Sequence, residues 1–233
     1  MEQIAPRIQR WTAPHPEWRS SVEEVVSYAL VDGEALAFVD PLLPAEGDAR
    51  RAPLLADIDH MVDAARRLDL FITIPYHTRS VETLYERYSR TVPTLIWGHP
   101  GVKKRLTRLA PFEAISQSAA GEATEIADGA VLAYTIGKPR RAEYPLYFPG
   151  LRAVAFGDAV VGAHGGLRFW NQGSSTGPEG GRAGHRVRPH NTRPGRARGR
   201  AASARRVPRR AAGRPVLSAA PAQCAVHLRR PAR

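Results

Sequence analysis

The stretch IPYHTRS, Ile74 to Ser80, places a histidine and an arginine directly after an apolar run. A turn that leaves a strand and carries a histidine is one way to present a metal ligand. It is also an ordinary place for a histidine that bonds a loop carbonyl. Zinc hydrolysis needs three or more protein ligands and a water whose pKa the ion lowers, and this turn contains no carboxylate. Other polar residues stand at similar positions: Asp40 before Pro41, His99 in WGHPG, Asp158 after Gly157, and His164 in GAHGG. Asp next to Gly or Pro is favoured by turn formation alone. Asp40 is therefore read as a turn residue at the edge of any pocket, and His99 as a loop residue. The glycine pairs near His164 do not lie between a strand and a helix, as a phosphate loop would require.

The elements that would position these residues are legible in outline. Val25–Val31 and Ala35–Val39 are rich in strand formers, and Asp32-Gly33 between them predicts a hairpin. Leu54 to Arg67 has apolar residues at helical spacing. Asp69–Ile74 is a nearly continuous apolar strand, the kind covered on both faces. Ser80–Tyr88 reads as a helix with Ser80 as N-cap and Glu82 in the first turn. Thr94–Trp97 is a short strand, and Val102–Leu109 a short basic helix. Strands are predicted at Ala123–Ile126, Val131–Ile136, Tyr144–Phe148 and Arg152–Phe156, with a second hairpin signal at Asp128-Gly129. A hairpin, then alternating strand and helix, then a run of strands implies an α/β (α+β) protein.

The chain has 233 residues, enough for one domain with a core, and a formal net charge of +12. That charge is not spread evenly. Residues 178–233 hold 15 of the 34 basic residues and one of the 22 acidic ones, Glu179, a balance of +14. The first 177 residues hold 19 basic and 21 acidic side chains, a balance of −2. From Gly180 onward there is no Phe, Tyr, Trp, Ile, Met, Lys, Asp or Glu. Such a segment cannot bury enough apolar surface to offset its chain entropy, so it is expected to be a basic disordered tail. Two domains of different kind follow, 1–177 and 178–233. The single cysteine, Cys224, excludes an intrachain disulfide. No apolar run reaches the about 20 residues of a membrane span, and the N-terminus lacks the pattern of a signal peptide. The expected location is the cytoplasm, with no membrane partner.

The hairpin SYALVDG with FVDP (Ser27–Gly33, Phe38–Pro41), the strand LFITI, the turn PYHTRS, and the later strand AVAFGD (Ala153–Asp158) followed by GGLRFW resemble, in order and spacing, the metallo-β-lactamase superfamily. The resemblance covers about Val25 to Gly177, and no single motif is intact. It implies a metallo-β-lactamase-like αββα sandwich with the site on one edge. It also implies a ligand set, and here the sequence departs from it. Where the family has Thr-His-x-His-x-Asp-His, Pro75 stands at the first histidine, His77 remains at the second, Arg79 replaces the aspartate and Ser80 the third histidine. Lys138, in TIGKP, stands where a Gly-His turn would supply another ligand, and Asp158 keeps the place of the bridging carboxylate. His164 is the best further candidate beside Asp158. Fixed cations at Arg79 and Lys138 would oppose a bound dication, so a full binuclear site is not expected.

The expected protein is thus a diverged hydrolase of this fold with a degenerate metal site, little or no zinc-dependent hydrolysis and no required cofactor, zinc being the ion that the resemblance admits. A different reading is a non-enzymatic module that binds an anionic small molecule through Arg79 and Lys138. A third is salt-sensitive nucleic-acid binding through the tail, which lacks the interleaved aromatics of single-strand binders. The tail has the composition of GC-rich codons read out of frame, and a frameshift near Gly177 is the reading favoured for it. VPRRA, Val207–Ala211, can be encoded so that the next frame reads Ser-His-Gly-Glu-Pro, similar to the family's closing His-Gly motif. Without the last helix and strand of the second half, that half would be incomplete and one sheet face partly uncovered, which predicts low solubility.

Overall fold

The computed structural model describes residues 1–16, 24–107, 111–136, 142–163, 166–169 and 226–228. Its first sheet has seven strands in chain order: β1 (Glu2–Ala5), β2 (Ile8–Pro14), β3 (Glu24–Asp32), β4 (Ala35–Val39), β5 (Arg67–Ile72), β6 (Thr94–Gly98) and β7 (Phe112–Ala114). The pairs from β1 to β4 are antiparallel and those from β4 to β7 parallel. The change falls where the chain stops making hairpins and starts to cross over through helices, α1 (Arg51–Asp63) between β4 and β5 and α2 (Val81–Tyr88) between β5 and β6. A second sheet holds β8 (Ala123–Ile126), β9 (Val131–Tyr134), β10 (Leu146–Phe148) and β11 (Ala153–Ala155), all antiparallel, with β14 (Val226–Leu228) on the outer edge of β11. β12 (Val160–Ala163) and β13 (Gly166–Phe169) form a separate hairpin.

Alternation along the strands separates two cores. On one face of the first sheet, Tyr28, Leu30, Val39 and Phe71 pack with Ile126, Val131, Ala133, Leu146, Phe148 and Ala155 of the second sheet. On the other face, Phe38, Leu36, Leu70 and Ile96 pack with Leu54, Ile58 and Val62 of α1 and Val81, Leu84 and Tyr88 of α2. The expected mixed α/β class with two facing sheets is present. Among the described residues the helices α1 and α2 cover the first sheet only. Phe71 joins the two sheets, edge-on to Phe148 with ring centroids 5.8 Å apart.

Several boundaries differ from the sequence reading. α1 begins three residues before Leu54 because Pro53 falls in the first turn, where the missing N–H costs no helical hydrogen bond. It ends at Asp63, and Arg67 is drawn instead into the sheet opposite Ala35. The expected basic helix after Val102 is a 3-10 turn over Pro100–Lys104, capped by His99, whose Nδ1 accepts from the Gly101 N–H at 2.9 Å. β1 and β2, at the edge of the first sheet, were not anticipated; the alternation of buried Trp11 and Ala13 with half-buried Thr12 in IQRWTA is the signal for β2. The tail falls outside the described residues apart from Val226–Leu228.

Candidate functional site

The carboxyl ends of neighbouring parallel strands form a crevice in open α/β sheets. Here Asp40 follows directly on β4, β5 leads through Thr73 to His77, and the second sheet brings Asp158 three residues beyond β11. Asp40 is fully buried, with φ +46°, a left-handed conformation that Asp tolerates better than most residues. Every part of it is engaged. Its N–H donates to the Phe71 carbonyl, and its own carbonyl accepts from Ser27 Oγ at 3.0 Å and Arg79 Nη1 at 2.7 Å. Its carboxylate accepts from the Thr73 N–H at 2.9 Å, from Thr73 Oγ1, and from His77 Nδ1 at 2.9 Å. Burial alone would push the Asp40 carboxyl up. The His77 and Arg79 charges and the His77 and Thr73 hydrogen bonds outweigh it and hold the group below the usual carboxylate range.

An ionised Asp40 can only accept, so the His77 proton lies on Nδ1 and Nε2 is turned to the other side. There Nε2 stands 3.5 Å from Asp158 Oδ1. Asp158 also accepts from the Tyr76 hydroxyl at 3.0 Å, and the Tyr76 ring meets His77 edge-on at 5.2 Å between centroids. His77 is buried while Tyr76 is about half exposed, so the aromatic ring lies over the histidine toward solvent. The structure thus brings three sequence candidates into one chain of contacts, Asp40, His77 and Asp158. The pair His77 and Asp158 can share a proton or a polar atom of a ligand.

The remaining candidates are placed differently. Arg79, at φ +40°, turns its Nη1 onto the main-chain oxygens of Asp40 and Val26, the latter at 3.4 Å. Ser80 is not a side-chain cap for α2; its Oγ accepts from the Leu43 N–H at 2.8 Å and ties the turn to the segment after β4. His164 and Lys138 lie outside the described residues. His99 lies against Tyr144 with ring centroids 5.8 Å apart and the planes tilted by 31°, and burial pushes its pKa down.

Three supporting residues were not singled out in the sequence. Thr73, in an otherwise apolar strand, was the one with a signal. Tyr76 was a lone aromatic in a turn. Glu143 is 2% exposed and accepts from the Ala159 N–H at 2.8 Å, which fixes the backbone next to Asp158; nothing in its local sequence marks it. Gly157 makes the approach of Asp158 possible, since a Cβ there would lie 2.6 Å from Thr73 Oγ1 and 2.7 Å from Ile74 Cδ1.

Among the described residues no group of three or more His, Cys, Asp or Glu side chains is placed to hold a metal ion. His77 and Asp158 converge, but Asp40 lies on the opposite ring nitrogen of His77 and is already satisfied.

No family model matches the sequence, and no curated protein matches it. Solved structures similar to this one include a metallo-beta-lactamase family protein from Thermus thermophilus, with 16% identity and a TM-score of 0.45 over 68% of this chain and 61% of that chain. Two crystal structures of the DIM-1 metallo-beta-lactamase are also similar. The one from a crystal exposed to ceftazidime has 12% identity and a TM-score of 0.48, and the other 13% and 0.46, each over 68% of this chain and 69% of that chain. The matched part spans less than two thirds of the Thermus protein.

Proposed function

We propose that this chain is a diverged hydrolase-type protein of the metallo-β-lactamase-like fold whose metal centre has degraded, leaving little or no zinc-dependent hydrolysis. One observation carries the reading: His77 Nε2 and Asp158 Oδ1 stand 3.5 Å apart, and among the described residues no third His, Cys, Asp or Glu side chain joins them in a group that could hold a metal ion. The sequence departures agree with it. Pro75 has no ligating atom, and Arg79 spends its Nη1 on main-chain oxygens. A metal-ligating histidine is usually oriented by a carboxylate on its second nitrogen. Asp40 has that part, so the orienting group has outlasted the ligand set it served.

Metal analysis of the purified chain tests this. Zinc well below one ion per chain is expected, with no change in melting temperature on chelation. Near-stoichiometric zinc that is lost in His77→Ala would overturn the reading.

A further inference from the structure

The turn that carries His77 also forms one wall of a second feature. Tyr76, Thr78, Arg79 and Ser80 border a cleft of about 520 Å³, closed elsewhere by the residues after β2, by Leu42–Ala45 after β4, and by Asp48 and Arg51 at the start of α1. That volume is in the range of small-molecule sites.

Its charges are unbalanced. Arg79 Nε is buried and has no hydrogen-bond partner among the described residues, although Nη1 of the same guanidinium is engaged. Arg51 donates from Nη1 to the Pro44 carbonyl. Among the described residues neither arginine lies within ion-pair distance of a carboxylate, although the Arg79 charge also acts on the buried Asp40 carboxylate behind it. The acid on the cleft, Asp48, is already taken: Arg50 donates to it from Nε at 3.1 Å, from Nη2 at 2.8 Å and from its main-chain N–H at 2.9 Å. Those bonds hold the Asp48 carboxyl down to about 2, so it stays the partner of Arg50.

A buried donor without an acceptor carries the cost of its lost hydration. An oxyanion that accepts from the guanidinium removes that cost. A guanidinium matches a planar carboxylate through parallel N–H donors, which makes arginine suited to that group. Beside His15 and the polar residues of the turn, the wall has an apolar stretch formed by Leu42, Leu43 and Pro44. A fully hydrated ion gains nothing from such walls, whereas a ligand with an apolar body does.

We propose that this cleft binds a small monocarboxylate with an apolar body, its carboxylate against Arg79 and Arg51 and its body on Leu42 and Leu43. Nothing in this assignment depends on the metal content of the His77 site.

Benzoate is a suitable probe, titrated calorimetrically into the full chain with acetate and inorganic phosphate as comparisons. Ala45 is exposed on the rim of the cleft, so its replacement spares the core. Ala45→Glu supplies an internal carboxylate and Ala45→Gln an uncharged side chain of the same size. The expected result is saturable benzoate binding to wild type, retained in Ala45→Gln and weakened roughly tenfold or more in Ala45→Glu. Acetate and phosphate should bind more weakly than benzoate. Circular dichroism of each variant confirms that it is folded. No benzoate binding to folded wild type, equal binding to Ala45→Glu, or phosphate binding as tightly as benzoate would each overturn the proposal.

Discussion

Asp40 is the residue on which the site turns, and its chemistry makes a prediction about pH. Its carboxylate is fully buried beside His77 and Arg79, and its folded pKa is lowered from an ordinary value of 3.8. A group lowered in the folded state contributes stability that is present above its unfolded pKa and lost as the pH falls through the folded value. The stability of the wild type should therefore drop steeply on acidification below about pH 4. In Asp40→Asn the buried carboxylate that accepts from Thr73 and His77 is lost, and leaving such buried donors imperfectly paired costs about 1–3 kcal/mol near neutral pH. The variant should also lose much of the acid-limb steepness. Denaturant titrations of both proteins between neutral pH and pH 3 read the two effects, and superimposable acid limbs would show that Asp40 is not the linked group.

The elements act through their ends. β4, β5 and the segment after β11 meet where Asp40, Thr73 and Asp158 stand, and the meeting needs Gly157. A Cβ there would overlap Thr73 Oγ1 and Ile74 at distances side chains do not tolerate. Gly157→Ala should destabilise the fold by about 1–3 kcal/mol through overpacking, and it should separate Asp158 from His77. The check is paired: a denaturation midpoint for stability, and the His77 imidazole resonances by NMR for the site. A destabilised variant with unchanged His77 resonances would mean that the Asp158 contact contributes little to the histidine's environment. The Tyr76–Ser80 turn is a joint of the same kind. Arg79 adopts φ +40° within it, a conformation most side chains avoid, held by hydrogen bonds to two main-chain oxygens.

At the scale of the whole molecule the charge is divided between parts. The first 177 residues are close to neutral, and residues 178–233 carry the excess of arginine. No helix among the described residues is long and apolar enough to cross a membrane. If the tail is read out of frame, the gene around codon 177 should contain another frame in which acidic and aromatic residues return, with a helix and a strand before a His-Gly pair. Sequencing that region is the direct check, and the idea fails when neither alternative frame does so. The outer edge of the second sheet is β14, Val226–Leu228, paired with β11.

The hairpin at Asp32-Gly33, the apolar strand before His77 and the helix after it could be read from the letters because each is written in local pattern: turn chemistry, β-branched runs, helical spacing. The order of elements, and the presence of Pro75, Arg79 and Ser80 around His77, were equally local. The partners of these residues were not. Asp40 looks like a turn residue, and only the pairing of β4 with β5 brings it onto Thr73 and His77. Glu143 becomes a site residue because the second sheet delivers it to Ala159, across 16 positions of sequence. Arg79 and Arg51 face one cleft although 28 residues separate them. Local pattern reports what a segment prefers. Which buried charge is paired, and which is left over, depends on what other segments bring to it, and that is decided only when the chain closes on itself.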